Sequence, residues 1–303
     1  MSKLTREEVE RGVREGRSFA DADLSYVDLD ECELSGTDFS GANFEGAILR
    51  NADLSYCNLQ GANLSRANMQ EAFMKKADFT GAVLQGADLS RTHVRSCNLK
   101  KVDLRGARGE DCEFTECDMS EAVLNGADLT LSDFIDCVLE RVEALDADFS
   151  LSSIKNCVLD HSNLKGLDLG GAEITDCEMT MACLDNANLR QAKINTSKLM
   201  KAQLKEAILS ASNLKEVDLT EADLSGSKME IAKVRECQMS HANLSGADLK
   251  ASYFRDVNLA SANMEGADCF STTFRNVELS GIDLSVVRNL DKSKGDLRSA
   301  VES

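Results

Sequence analysis

Neither proline nor tryptophan occurs in this 303-residue chain, and aromatic residues make up only 5% of it. Proline cannot donate to a backbone ladder, so its complete absence fits a fold in which nearly every N–H is used, and it leaves no proline-marked linker between domains. No stretch approaches 18 consecutive apolar residues, so no membrane span is expected. The N-terminus is charged and lacks an apolar segment, which argues against a secretory signal and for a cytoplasmic chain. Histidine is equally scarce, with only His93, His161 and His241. Glycine-rich phosphate loops, HExxH and paired CxxC motifs are all missing. These absences point to a non-enzyme with no catalytic residue, no metal site and no cofactor.

What the chain has instead is a period. In GANFEGAILRNADLSYCNLQGANLS, residues 41–65, Phe44, Leu49, Leu54, Leu59 and Leu64 recur every fifth position. Two places before each stands a small residue: Ala42, Ala47, Ala52, Cys57 and Ala62. Five steps of an α-helix would spiral the large residues around every side, and five steps of a flat strand would alternate them between faces. The pattern nevertheless holds without insertion or deletion over fifty-four positions from Phe19 to Leu284, and only Gly109, Ala144 and Cys269 are not large and apolar. Strict register of this kind marks stacked repeats. Each small–x–large triplet acts as a short β segment pointing inward, and the two residues after it turn a corner.

The cysteines give the number of corners per turn. Nine of the eleven occupy the small position, and seven of those (Cys57, Cys97, Cys117, Cys137, Cys157, Cys177 and Cys237) share one phase in twenty. Phe114 and Phe134, Phe254 and Phe274, and Ile154, Ile174 and Ile194 follow the same interval. A 20-residue, four-sided coil explains all of these, with coils stacked about 4.8 Å apart through parallel hydrogen bonds. His161 and His241 then lie four coils apart and His93 falls on another side, so no two can share a metal. Cys183 differs from the other cysteines by taking an outward position, where a reactive exposed thiol is expected.

The A(D/N)LxX pattern, as in Ala52-Asp53-Leu54-Ser55-Tyr56 and Ala247-Asp248-Leu249-Lys250-Ala251, resembles the pentapeptide-repeat family. That resemblance implies an all-β fold, a right-handed quadrilateral parallel β-helix of about 13.5 coils here, and one domain forming a rod of roughly 65 Å. Its members range from DNA-mimicking binders of type II topoisomerases to secreted effectors, so the resemblance alone leaves function open. Residues 1–16 read as a capping helix, with Thr5 and Glu8 as a capping box, Leu4 and Val9 as a hydrophobic staple and Gly16 as the stop. Residues 17–288 form the β-helix. Residues 289–303 form a tail or short capping helix, with Val287, Leu290, Leu297 and Val301 at roughly helical spacing around this end. Topoisomerase-binding relatives dimerise end to end, so a monomer or an end-to-end homodimer is expected.

Charge is the remaining signal. The net charge is −18. Residues 101–190 alone carry seven basic and twenty acidic side chains, an excess of thirteen negative charges within about 22 Å of helix. Duplex DNA has a similar axial density, about one charge per 1.7 Å. Glu110, Asp111, Asp128, Asp148 and Asp168 lie in this segment, the three last in one phase. Leu131 and Leu151 occupy corners where glycine or a polar residue is usual, and Leu145, Ile135, Val138 and Val158 also point outward by register. Glu110, Asp111, Asp128, Asp148, Asp168, Leu131, Leu151 and Leu145 are therefore the candidate partner-binding residues of a rigid scaffold. The alternative is a DNA mimic acting on a gyrase-like topoisomerase; a secretion-system adaptor or effector is compatible with the family but has no motif here. Direct nucleic-acid binding is not expected of so acidic a surface.

Overall fold

The computed structural model describes residues 4–295, and it is a parallel β-solenoid in which residues twenty apart face one another. Asp23 pairs with Asn43 and Asn43 with Asn63, so the coil holds twenty residues and four five-residue sides. Each side makes two rungs: Leu24 N–H donates to Asn43 O of the next coil (2.7 Å), and Asn43 N–H returns a bond to Ala22 O (2.9 Å). Every large inner position from Phe19 to Leu279 is buried, including Gly109, Ala144 and Cys269. The register does not slip at the undersized positions. A side chain on Gly109 would lie 2.7 Å from Leu129 Cδ2, because Leu129 already fills the space.

Most corners are hydrogen-bonded turns. Ala42 N–H donates to Phe39 O (3.0 Å) and Ala47 N–H to Phe44 O (2.9 Å). The residue two places after each large position takes left-handed φ, whether it is glycine or, as at Asp21 (φ 56°) and Tyr56 (φ 60°), a larger residue. The residue between small and large serves the same corner. As Asp or Asn it accepts the N–H two residues on, as Asp53 does from Ser55 (2.8 Å) and Asn63 from Ser65 (3.1 Å). The Asp/Asn preference of the repeat is thus a turn requirement that only one side-chain oxygen fulfils.

The chain divides into two compact units, Met1–Ser153 and Ile154–Ser303. In the first, α1 (Arg6–Arg14) precedes strands β1 (Phe73–Lys75), β2 (His93–Arg95), β3 (Glu113–Thr115) and β4 (Asp133–Ile135), paired in that order on one side of the coil. β5 (Ser153–Lys155) falls at the boundary. The second holds β6 (Glu173–Thr175), β7 (Lys193–Asn195), β8 (Asn213–Lys215), β9 (Lys233–Arg235), β10 (Tyr253–Asn258) and β11 (Thr273–Glu278), with β12 (Lys294–Gly295) pairing on β11. Eleven turns carry a strand on this side, fewer than the 13.5 coils counted from the repeat, because the earliest coils are joined there only by single bridges such as Glu33 to Asp53. The inner residues of the strand side are mostly β-branched or aromatic (Val94, Phe114, Phe134, Ile174, Ile194, Val234), which favours extended backbone.

The shared phase of the cysteines has its cause at the corner after these strands. Among the described residues no turn bond closes that corner at Met74, Val94 or Phe114. A thiol from the following coil reaches the carbonyl there: Cys97 donates to Met74 O (3.2 Å), Cys117 to Val94 O (3.3 Å) and Cys137 to Phe114 O (3.4 Å). Ser197, at the same place in the second unit, donates to Asn195 O (2.8 Å). Stacking adds to this, with Phe114 and Phe134 parallel at 5.0 Å and Phe254 and Phe274 at 5.5 Å.

At the N-terminus Thr5 accepts from Glu8 N–H (3.4 Å) and donates its own N–H to Glu8 Oε2 (2.9 Å), closing the capping box. Val9 is buried and Gly12 lies against the Phe19 ring, while Gly16 (φ 70°) ends the helix. At the other end two 3-10 turns, Leu284–Val286 and Leu290–Lys292, stand where a capping helix was an option. Leu297 and Val301 lie outside the described residues.

Two outcomes follow. Cys117→Ser keeps the side-chain donor to Val94 O and Thr115 O, whereas Cys117→Val removes it and leaves only the backbone ladder bonds there; the valine variant is expected to lose about 0.5–1.5 kcal/mol more by urea titration. The second concerns pH. Asp38 is held below the usual carboxylate range by hydrogen bonds from Ser18 and then Ser40, and Asp103 chiefly by Arg105. A depressed folded pKa adds stability above the unfolded value, about 3.9, and loses it as pH falls through the folded value. The urea midpoint is therefore expected to hold near neutrality and to drop as pH is lowered from about 5 to 3.

Candidate functional site

The candidate residues of the first unit gather on one side of the coil and its flanking corners. Asp128 and Asp148 are bridge partners on neighbouring coils, with Arg108 the bridge partner on the other side of Asp128. Each carboxylate spends one oxygen on its own corner: Thr130 N–H donates to Asp128 Oδ1 (3.2 Å) and Ser150 N–H to Asp148 Oδ1 (2.8 Å). Leu131 and Leu151 form the second residue of the following corner. Both have φ 60° and are strongly exposed, Leu131 at 48% and Leu151 at 61%. Asp111, with φ 61°, takes the same corner one coil before Leu131, and its N–H donates to Thr130 O (3.0 Å). Glu110 stands beside it, and both acids are exposed.

Leu145 sits at the preceding corner, so that Leu145, Asp148 and Leu151 cross the side at intervals of three residues. It keeps its outward register, donating to Asn125 Oδ1 (2.9 Å) and accepting from Gly126 N–H (2.9 Å), and is half-buried, as are Ile135, Val138 and Val158. Asp168 belongs to the second unit. There its carboxylate accepts from Gly170 N–H (2.8 Å) and Asn188 Nδ2 (2.9 Å).

From Asp103 to Ser153 the chain has fourteen carboxylates against three arginines and no lysine. Five of these have a basic partner in ion-pair range: Asp103 with Arg105 (2.6 Å), Glu113 with His93 (2.9 Å), Glu116 with Arg95 (3.3 Å), Asp118 with Lys100 (2.9 Å) and Glu121 with Lys101 (3.6 Å). Among the described residues no cation lies in ion-pair range of Glu110, Asp111, Asp128, Asp133, Glu140, Glu143, Asp146 or Asp148. This uncompensated stretch encloses the exposed leucines. Shallow grooves of about 380 Å³ and 410 Å³ border it, the first lined by Arg91, Arg108, Glu110 and Asp111 among others, the second by Phe73, His93, Asp111 and Glu113 among others.

Among the described residues no group of three or more His, Cys, Asp or Glu is placed to hold a metal ion, and no helix is long and apolar enough to cross a membrane. Ten cysteines are buried, and burial pushes Cys57 and Cys237 up to about 11. Cys117, sharing hydrogen bonds with Cys137 and Cys97, is raised as well. Cys183 alone is half-buried rather than buried. A short iodoacetamide pulse on the native protein is therefore expected to add one label, at Cys183, while the denatured chain takes eleven.

A second feature follows position within the coil rather than position along the chain: in the second unit the outward third residues of β8 to β11, Lys215, Arg235, Arg255 and Arg275, stand in one column.

No curated protein matches the sequence. Among solved structures, the chain is similar to HetL, a pentapeptide repeat protein involved in heterocyst differentiation regulation from the cyanobacterium Nostoc sp. strain PCC 7120, at 23% identity over 88% of this chain and 97% of that one, TM-score 0.40. It is also similar to a trypsin-treated form of QnrB1, a plasmid-mediated fluoroquinolone resistance protein, at 18% identity over 63% and 92%, TM-score 0.49. A third is a pentapeptide repeat protein of the Arabidopsis thaliana thylakoid lumen, at 30% identity over 41% and 68%, TM-score 0.17. The family model described as pentapeptide repeats matches eight copies, at residues 18–55, 57–95, 95–136, 117–153, 152–191, 197–235, 237–276 and 252–285. With nearly its whole length so matched and every repeat coiled as described above, the chain belongs to the pentapeptide-repeat family.

Proposed function

We propose that this protein is a non-catalytic scaffold that binds a protein partner through the acidic and partly apolar edge formed by Glu110, Asp111, Asp128, Leu131, Leu145, Asp148 and Leu151. One observation carries the reading: Leu131 and Leu151 project side by side among carboxylates that no cation neutralises. Large apolar side chains in left-handed corners carry a conformational cost of about 1–2 kcal/mol each that glycine would avoid. A partner with a basic rim around an apolar pocket would fit this edge. The buried thiols act as hydrogen-bond donors, a role disulfide formation would remove, which supports a reducing compartment such as the cytoplasm.

A second reading has an observation of its own. The excess of eleven negative charges from Asp103 to Ser153 falls within about 12 Å of stacked coil, a density at least that of duplex DNA. Occupation of a basic DNA groove, as in a gyrase-like topoisomerase, would use that density and leave the leucines idle.

Because Asn preserves the corner bond of Asp128 and Asp148, Asp128→Asn with Asp148→Asn removes charge without touching the fold. Immobilised wild type is expected to capture a partner from lysate that this variant binds at least about tenfold more weakly, on about 1.5 kcal/mol or more per close charge pair. Leu131→Asp with Leu151→Asp should weaken capture more than Asp128→Asn alone; equal capture by all forms would remove the edge from consideration. DNA supercoiling by gyrase left unaltered at excess protein would eliminate the mimic reading.

A further inference from the structure

We infer that the strand-bearing face of the second unit is a docking surface for the acidic edge of a second copy of this chain, an inference that rests on that edge being an interface.

The cations on this face are in register. Lys215 pairs with Arg235, Arg235 with Arg255 and Arg255 with Arg275, which places four positive side chains in a column about 14 Å long. Lys233 lies on β9 two residues before Arg235, and Lys193 takes the equivalent place on β7. Like charges directly opposite in a ladder destabilise it, and the coil does not ask for them. The equivalent positions of β1 to β4 are Lys75, Arg95, Thr115 and Ile135. Outward aspartates have a turn to close; these cations have none.

Local acids answer part of the column. Lys215 meets Glu216 (2.7 Å), Lys193 meets Glu173 (2.5 Å), and Arg255 meets Glu236 (3.0 Å) and Asp256 (3.1 Å). Among the described residues no carboxylate lies in ion-pair range of Lys233, Arg235 or Arg275; Arg235 donates only to the neutral Asn213 (2.8 Å). At the corner leading into β9, Ile231 is 62% exposed with φ 61°, a conformation that a β-branched residue adopts at particular cost. Ile231 is the counterpart in this unit of Leu131 and Leu151, at the same corner of the coil.

Spacing and charge together select the occupant. Cations about 4.8 Å apart match carboxylates held at the same pitch by another parallel coil, and this chain presents such a pair at Asp128–Asp148. Phosphates of duplex DNA repeat at about 3.4 Å per strand along the axis and do not match. The basic face offers cations beside an exposed isoleucine, and the acidic edge offers uncompensated carboxylates beside exposed leucines. At physiological ionic strength charges interact over about 8 Å, so this local complementarity outweighs the −18 that each copy carries overall.

The test is sedimentation velocity on the full chain at about 0.15 M and 1 M salt, where the screening length falls to about 3 Å. Wild type should associate at the lower salt and dissociate at the higher. Arg235→Glu with Arg275→Glu, and separately Asp128→Asn with Asp148→Asn, should each self-associate at least tenfold more weakly, with unchanged urea midpoints. Arg235→Gln with Arg275→Gln serves as the milder control and should fall between. Mixing the two impaired variants should restore a one-to-one complex, since one retains the basic face and the other the acidic edge. A wild type that stays monomeric at about 0.15 M salt, a basic-face variant that associates normally, or a mixture that fails to pair overturns the inference. Capture of an outside partner by the basic-face variant separates this failure from failure of the acidic edge itself: the edge reading survives if that variant still binds and falls if neither it nor wild type does.

Discussion

Everything in this molecule depends on one obligation: each coil must hand its amides and carbonyls to the next in fixed register. Leu24 gives its N–H forward and Asn43 gives its own back, and the same pair of bonds recurs along each unit. A ladder of this kind tolerates no inserted residue, which is why fifty-four inner positions follow one another at five-residue steps without a slip. It also explains the empty place of proline, which would remove a rung or a corner bond at most positions of the coil. Undersized core residues are easier to absorb than a shift of register. At Gly109 the space is taken by Leu129, and the backbone stays where the ladder needs it.

The ladder sorts side chains into three kinds of work. Inward residues supply apolar burial, worth about 1.5–3 kcal/mol for each large one before chain entropy is subtracted. Outward Asp and Asn close corners with a single oxygen. Cysteines serve the one corner that lacks the turn bond, adding a thiol hydrogen bond to a carbonyl of the strand ladder. What remains after these duties is the surface on which the proposed recognition rests: the exposed leucines and isoleucine of the left-handed corners, the second carboxylate oxygens, and the columns of charge.

The five-residue step, the twenty-residue coil, the inward cysteines and the capping box were all legible in the sequence, because each depends on strict spacing or on a local motif such as Thr5 and Glu8. The meaning of the cysteine phase was less accessible. Stacking predicts that Cys97 lies over Cys117, but only the open corner beside Met74 and Val94 shows why a hydrogen donor belongs there. Asp128, Asp148, Leu131 and Leu151 were found from phase alone, whereas the engagement of Asp168 by Asn188 in the second unit depends on which residue sits one coil away. The basic column escaped notice because charge was summed along the chain. Residues 191–303 are nearly neutral in total, and that total averages four sides on which the signs are separated.

The single-oxygen corner bond has a wider consequence. Since Asn and Asp satisfy the same N–H, the coil is indifferent to whether that position carries a charge, and since one residue addresses one square of the outer surface, each square can change alone. Such a protein can exchange one recognition pattern for another through isolated point changes, with no intermediate that folds poorly. Selection on binding and selection on folding act here on almost separate alphabets.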